Sequence, residues 1–286
     1  MTSPPPLRTS FSGHETFPLR FLWLPKAVRA AAHDPGAFRS DEAIATFGVG
    51  KNMVRAIRHW GLATGALRGV GGSRSDVEPT ARGLALFGEG GSDPYCERPA
   101  TAWRLHWELC RDADRATLWH FVFGHWRGGG VDPAALGPEL ARWLAERGAE
   151  PPSAATLKRD VLCLAACYAP PAPDADAEDA AACPLTALGL ADRSAGALHL
   201  RRGRRAGLDA AVFADAVLDY WARAAPGRQT LAVDAVLAHA GSPGRVFGLR
   251  EDQAFELVEA VGRLPDAPFR FDETAGVQQL YRTAAA

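Results

Sequence analysis

Gly13 is followed directly by His14 and Glu15, and Arg20 comes shortly after. A histidine, a carboxylate and a guanidinium are the types that hydrolysis of a phosphodiester calls for. The first two can activate water or hold a metal ion, and the third can steady charge on phosphate. His14, Glu15 and Arg20 are therefore the candidate catalytic set. His14 and Glu15 would also suit a cap on a helix begun by Pro18, and residue types alone leave both readings open. Lys158-Arg159-Asp160 has the same composition near a helix start, where a solvated first turn is the plainer reading.

A second group lies between Ala43 and Ser75, a stretch with five Lys/Arg and no Asp or Glu. On a helical wheel for Lys51 to Trp60, Met53, Val54, Ala56, Ile57 and Trp60 share one side. Lys51, Arg55 and Arg58 share the other, with Asn52 and His59 flanking. A cationic helix after the tight turn Val49-Gly50 suits the DNA backbone. Asn52, near its start, is the type that pairs bidentately with adenine. Arg68 and Arg74 would lie on a following wing. The expected DNA-binding set is Lys51, Asn52, Arg55, Arg58, Arg68 and Arg74; the alternative is a solvated helix face.

Other constellations carry less. Gly50-Lys51 is not a phosphate loop, because that pattern needs Gly at 45 and Ser/Thr at 52, where the chain has Ala45 and Asn52. His106, His120 and His125 lie among Trp103, Trp107, Trp119 and Trp126, which favours satisfied core histidines over a metal site. Cys163 and Cys167 are one helical turn apart and could share a metal with Cys183, but buried thiols are the favoured reading. The metal ligands stay unassigned.

These side chains need elements to position them. Helices are expected from Pro18 to near His33, from Ser40 to Phe47, and from Lys51 to Trp60, closed by Gly61. A hairpin over 64–78 and a helix from Thr80 to Phe87 complete a winged helix-turn-helix pattern. Helices follow at 101–110, 115–126, 138–147 and 153–168, the last capped by Ser153. A loop runs from Pro170 to Glu178. Helices at 211–224, 230–240 and 250–264 precede a hairpin at 269–281, a weak repeat of the first pattern.

The expected fold class is mainly α: an N-terminal winged helix-turn-helix, then a helical domain, ending in a second winged-helix-like unit. The expected divisions are a disordered leader (1–10), the DNA-binding domain (11–88), a helical domain (89–207) and the C-terminal unit (208–286). The 286 residues are 47% hydrophobic and 23% charged, enough apolar material for a core, which excludes a mainly disordered chain. The net charge of -1 excludes a generally basic coat, so any DNA contact must be a local face. No run of 18 apolar residues could span a membrane. The polar, Pro-rich start lacks a signal-peptide core, so a cytoplasmic location is expected.

Several strings resemble a bacterial family otherwise of unknown function. They are 11–20 (FSGHETFPLR), 48–54 (GVGKNMV) with 59–63 (HWGLA), Asp93-Pro94-Tyr95 with Glu97, 156–161 (TLKRDV), Cys183-Pro184-Leu185 and 242–247 (SPGRVF). They span nearly the whole chain in order. The resemblance is to DNA-nicking proteins of single-strand DNA phosphorothioation systems, which replace a backbone oxygen of DNA with sulfur in modification and phage defence. It implies nicking of double-stranded DNA with a divalent metal, Mg or Mn. It also implies partnership with a cysteine desulfurase, an ATPase and a sulfur-transfer ATP-pyrophosphatase. It supplies no catalytic residues, and the chain departs from common nucleases in lacking H-N-H and E-x-K motifs. A non-catalytic DNA-recognition subunit and a winged-helix transcriptional regulator are the rival expectations.

Overall fold

The computed structural model describes residues 7–39, 42–73, 75–170, 183–194, 197–274 and 276–283. The Ser40–Asp41 helix start, Arg74, residues 1–6 of the leader and most of the loop begun by Pro170 lie outside the described residues.

Helix α1 spans Trp23–His33, α2 Glu42–Phe47 and α3 Lys51–Ala63. Strands β1 (Leu67–Gly69) and β2 (Val77–Pro79) form an antiparallel hairpin, and α4 follows at Ala81–Phe87. Thr80 caps α4 by accepting from the Gly83 N–H. Pro18 does not begin α1, as the sequence suggests. The Phe17 carbonyl accepts from the Trp60 indole at 3.0 Å, and the Phe17 N–H donates to the His14 carbonyl, so this stretch is a turn. The helix starts at Trp23 and Pro25 occupies its first turn, where a missing N–H is harmless. Nor does Gly61 close α3. A Cβ there would come 2.6 Å from Leu67, so this glycine lets β1 pack against the helix, which runs on to Ala63.

The middle of the chain holds α5 (Pro99–Arg111), α6 (Thr117–Gly124), α7 (Pro133–Ala145) and α8 (Ala154–Tyr168). Asp132 and Ser153 cap α7 and α8. The sequence reading begins α7 at Pro138, but the Asp132 cap and Pro133 start it a turn earlier. Three short strands escape that reading: β3 (Gly130–Val131), β4 (Ala191–Ser194) and β5 (Ala197–Leu200), in the antiparallel order β3-β5-β4.

The last part contains α9 (Ala210–Ala224), β6 (Thr230–Ala232), α10 (Val233–Leu237), α11 (Pro243–Val246), α12 (Glu251–Gly262), β7 (Phe269–Thr274) and β8 (Val277–Arg282). The helix expected from Thr230 is shortened because its first three residues pair with β8. The described architecture is thus helical with three small antiparallel sheets.

One contiguous hydrophobic core runs through these elements, with Trp60, Trp103, Trp119, Trp221 and Tyr168 among its fully buried side chains. Glu108 on α5 is buried beneath Arg82 of α4, Arg111 and Arg115, pairing with Arg115 at 2.7 Å. Arg111 also reaches Asp219 of α9 at 3.2 Å. A buried carboxylate survives only when partnered, so this network ties three helices together. No helix among the described residues is long and apolar enough to cross a membrane.

Candidate functional site

The site is built around the loop 10–17. Ser12, Glu15 and Thr16 all have positive φ, at 59°, 50° and 72°. L-residues seldom adopt this region, least of all a β-branched threonine, so the surroundings must hold the loop there. Asp160 on α8 does most of the holding. It accepts from the Ser12 N–H at 3.1 and 3.2 Å and from His14 Nε2 at 3.1 Å. The Thr16 N–H donates to His14 Nδ1 at 3.0 Å. That nitrogen is therefore the unprotonated one, and Nε2–H is the donor to Asp160.

His14 is 1% exposed and packs against His59, Trp60 and Trp119, with ring centroids about 6 Å away. Gly13 lies so close to His59 that a Cβ would stand 2.3 Å from its ring. His59 is pushed down to about 3, first by desolvation, then by His14 and Arg58. At neutral pH its ring is uncharged.

Glu15 turns outward. Its carboxylate stands 3.6 Å from the Arg55 guanidinium of α3. Arg20 is half-buried, its guanidinium 5.7 Å from the centroid of the Trp23 ring. The loop thus separates the candidate catalytic residues: His14 goes into the core, Glu15 to the α3 surface, and Arg20 onto α1.

Helix α3 presents Lys51, Asn52 and Arg55 to solvent at its N-terminal end, while Val54, Ala56, Ile57 and Trp60 are buried. Gly50 caps it without a side chain, so the first-turn N–H groups add a partial positive charge to these cations. Arg58 is different. It is half-buried and its Nε donates to the Ser75 carbonyl at 3.0 Å, bracing the segment between β1 and β2. Arg68 pairs with Glu78 across the hairpin at 2.8 Å. The structure therefore sets Glu15 beside Arg55, about one turn along α3 from the exposed Lys51 and Asn52.

Sequence reasoning underrated Asp160. Lys158 and Arg159 are solvated, as expected, but Asp160 is buried. A signal was available: Leu157, Asp160, Val161 and Leu164 fall on one helical stripe, and a carboxylate within an apolar stripe needs a partner.

The histidines and cysteines behave as core residues. His106 bonds Tyr168 Oη and the Val246 carbonyl, both at 2.8 Å. His120 and His125 bond each other at 3.0 Å. Cys163, Cys167 and Cys183 are buried, unoxidised thiols gathered together, and burial raises Cys163 and Cys183 well above the usual thiol range. Among the described residues, no group of three His, Cys, Asp or Glu is arranged to hold a metal ion.

A family profile described as "Protein of unknown function (DUF4007)" matches residues 11–286. Comparison with curated proteins gives no match. Two solved structures are similar. One, a magnesium ion-bound SspB crystal structure, is 31% identical with a TM-score of 0.86, covering 97% of this chain and 84% of the other. The second, an SspB crystal structure, is 31% identical with a TM-score of 0.87, covering 98% and 85%. The chain belongs to the DUF4007 family, the family of SspB-type proteins.

Proposed function

We propose that the protein binds double-stranded DNA through the N-terminal end of α3 and nicks one strand beside Glu15. The nick would serve a DNA phosphorothioation system, as its likeness to SspB suggests. Helices α2 and α3, the β1–β2 hairpin and α4 act as a winged helix, with α3 in the major groove and the hairpin alongside. The observation that carries this reading is the pairing of Glu15 with Arg55, about one helical turn from the exposed Lys51 and Asn52, on a loop clamped to the core by His14 and Asp160.

In this arrangement Lys51 and Arg55 grip phosphates and Asn52 reads a base edge. Glu15 stands next to a cation that draws phosphate toward it, where it can take a proton from attacking water. His14 is a positioning residue, because both of its nitrogens are engaged inside the protein. Asp160 likewise holds the loop rather than touching substrate.

A divalent metal is part of the proposal, supported by the magnesium-bound SspB relative. Asp160 is occupied by Ser12 and His14, so Glu15 is the carboxylate of this loop available to a cation. Magnesium often takes one or two carboxylates and completes its shell with water and substrate phosphate, so Glu15 would supply one ligand, in place of its pairing with Arg55, and phosphate and water the rest. When bound, the ion would neutralise phosphate charge and lower the pKa of water. The proposed partners are the cysteine desulfurase, ATPase and sulfur-transfer ATP-pyrophosphatase of such a system, in the cytoplasm.

The test is relaxation of supercoiled plasmid by metal-stripped protein, with and without added Mg²⁺ or Mn²⁺. Nicked circles that form only with metal are expected. A second reading, a non-catalytic DNA-recognition subunit, is favoured by the complete internal use of His14. Duplex binding without any nicking would establish that reading instead.

A further inference from the structure

The segment 242–247 (SPGRVF) plays no part in the site above, yet Arg245 within it lies in a second cationic place. A cleft of about 500 Å³ opens between the end of α6, Leu190 just before β4, the end of β5 with Arg201 and Arg202, and α11. Its polar wall carries Arg127, Arg201, Arg202 and Arg245; its apolar wall includes Val122, Phe123, Leu190 and Leu200. Among the described residues, the only carboxylate paired with these arginines is Asp192, 3.4 Å from Arg201. Arg245 spends two donors on backbone, giving to the Gly124 carbonyl at 3.0 Å and the Trp126 carbonyl at 2.8 Å. Burial lowers the pKa of Arg245, and the charges of Arg127 and Arg202 lower it further.

Beneath the cleft, Arg205 is 7% exposed and bonds only backbone carbonyls and so adds another uncompensated cation. Trp126 also lines the cleft. It is 9% exposed, and its indole N–H is buried without a partner. A buried donor left unsatisfied is unfavourable, and so are like charges crowded without a counterion. An anionic ligand carrying a ring would relieve both.

We propose that this cleft binds a nucleotide, with its phosphate on Arg127, Arg202 and Arg245 and its ring and sugar along the apolar wall beside Trp126. Planar guanidinium groups match phosphate geometry, and an apolar wall gives a base somewhere to lie. The nucleotide has two possible sources, a free mononucleotide or one residue of a DNA strand. The strand source rests on the function proposed above; the cleft chemistry does not. One helix braces both sites. Trp119 of α6 packs edge-on against Trp60 behind the His14 loop, while Phe123, about 6 Å further along the helix, lines the cleft.

The experiment measures binding of full-length protein to three probes: deoxyadenosine monophosphate, fluorescein-labelled single-stranded (dT)15, and a labelled duplex. Arg127→Ala/Arg202→Ala is the main variant, since both side chains are exposed. It should weaken (dT)15 or mononucleotide binding at least ~10-fold and flatten the single-strand salt slope by up to about 0.7, the value for one lost phosphate contact. Gly129→Asp is a second variant that leaves the arginines in place. A Cβ at Gly129 meets nothing within 4 Å, so the carboxylate is accommodated at the rim and should repel the same probes. Duplex binding through α3 should survive both changes. Loss of mononucleotide binding identifies a free nucleotide as the ligand; loss confined to (dT)15 identifies the strand. The proposal is overturned if the parent protein binds neither nucleotide probe, or if both variants bind every probe as the parent does. Duplex binding that persists in either case would leave the α3 reading standing.

Discussion

The His14 loop and the tip of α3 both carry polar and charged side chains and use them in opposite ways. Beneath the loop, His14 and Asp160 of α8 satisfy each other and the backbone of Ser12 and Thr16, away from water. At the tip, Lys51, Asn52 and Arg55 are exposed and free to meet a ligand. Glu15 belongs to the loop by sequence and to the tip by position, 3.6 Å from Arg55. The contrast teaches that a His–carboxylate pair near a glycine can be the fastening of a site rather than its chemistry. What decides is whether the lone pairs and protons of the pair are already used inside the protein.

The largest effect is expected at Asp160. Asp160→Ala leaves the Ser12 N–H and the His14 ring without their acceptor in a buried place. Stability should fall by about 3 kcal/mol or more, read from urea unfolding with the slope as a check on cooperativity. An unchanged unfolding midpoint would show that the loop is held by other contacts.

Glu15→Gln probes the other side of the divide. The substitution is nearly isosteric at a half-buried position, so the melting temperature should hardly move. Nicking should drop by at least ~10²-fold with DNA affinity kept, the usual scale for losing a general base. A folded variant that nicks at the parent rate would place the chemistry elsewhere.

Acid acts on the loop through His59, which packs behind Gly13 and His14. Its folded pKa is about 3, against an ordinary value near 6.5. Between those values the unfolded chain takes up a proton that the folded chain refuses, so this residue lowers stability as pH falls through the window. His59→Gln should flatten the acid limb of stability against pH by up to about 1.4 kcal/mol per pH unit. An unaltered slope would mean that His59 is protonated in the folded protein.

The smallest expected effects lie at the α3 tip. Lys51→Ala/Arg55→Ala should leave stability alone and flatten the salt dependence of duplex binding by about two units, one for each phosphate contact. Arg58→Ala should behave in the reverse manner, costing about 1 kcal/mol of stability through the lost Ser75 bond while barely moving the salt slope. If Arg58→Ala flattens the slope as much as Lys51→Ala or Arg55→Ala does, the guanidinium faces phosphate rather than the hairpin.

The amino-acid sequence determined the local structure. The apolar stripe of α3, the Ser153 cap, and the β7–β8 hairpin follow from helical or strand periodicity and from side chains that bond their own backbone neighbours. The cationic face with Lys51, Asn52 and Arg55 follows from the same periodicity. Strands β3 and β6 were not legible, because two and three residues are too few to alternate and each pairs with a distant strand rather than across a local turn. The end of α3 was misjudged because Gly61 is there for Leu67, a contact with the next strand.

Only the tertiary structure decided the fate of the polar residues. It carried Asp160 across 146 residues to His14, placed Glu15 beside Arg55, and set Arg58 to brace Ser75 instead of facing outward. It also gathered Arg127, Arg202 and Arg245 around one cleft. Periodicity shows which side of an element is buried, because burial depends on hydrophobicity along one helix or strand. It does not show which distant group will satisfy a buried charge or hydrogen bond, because that partner is fixed only when separate elements pack.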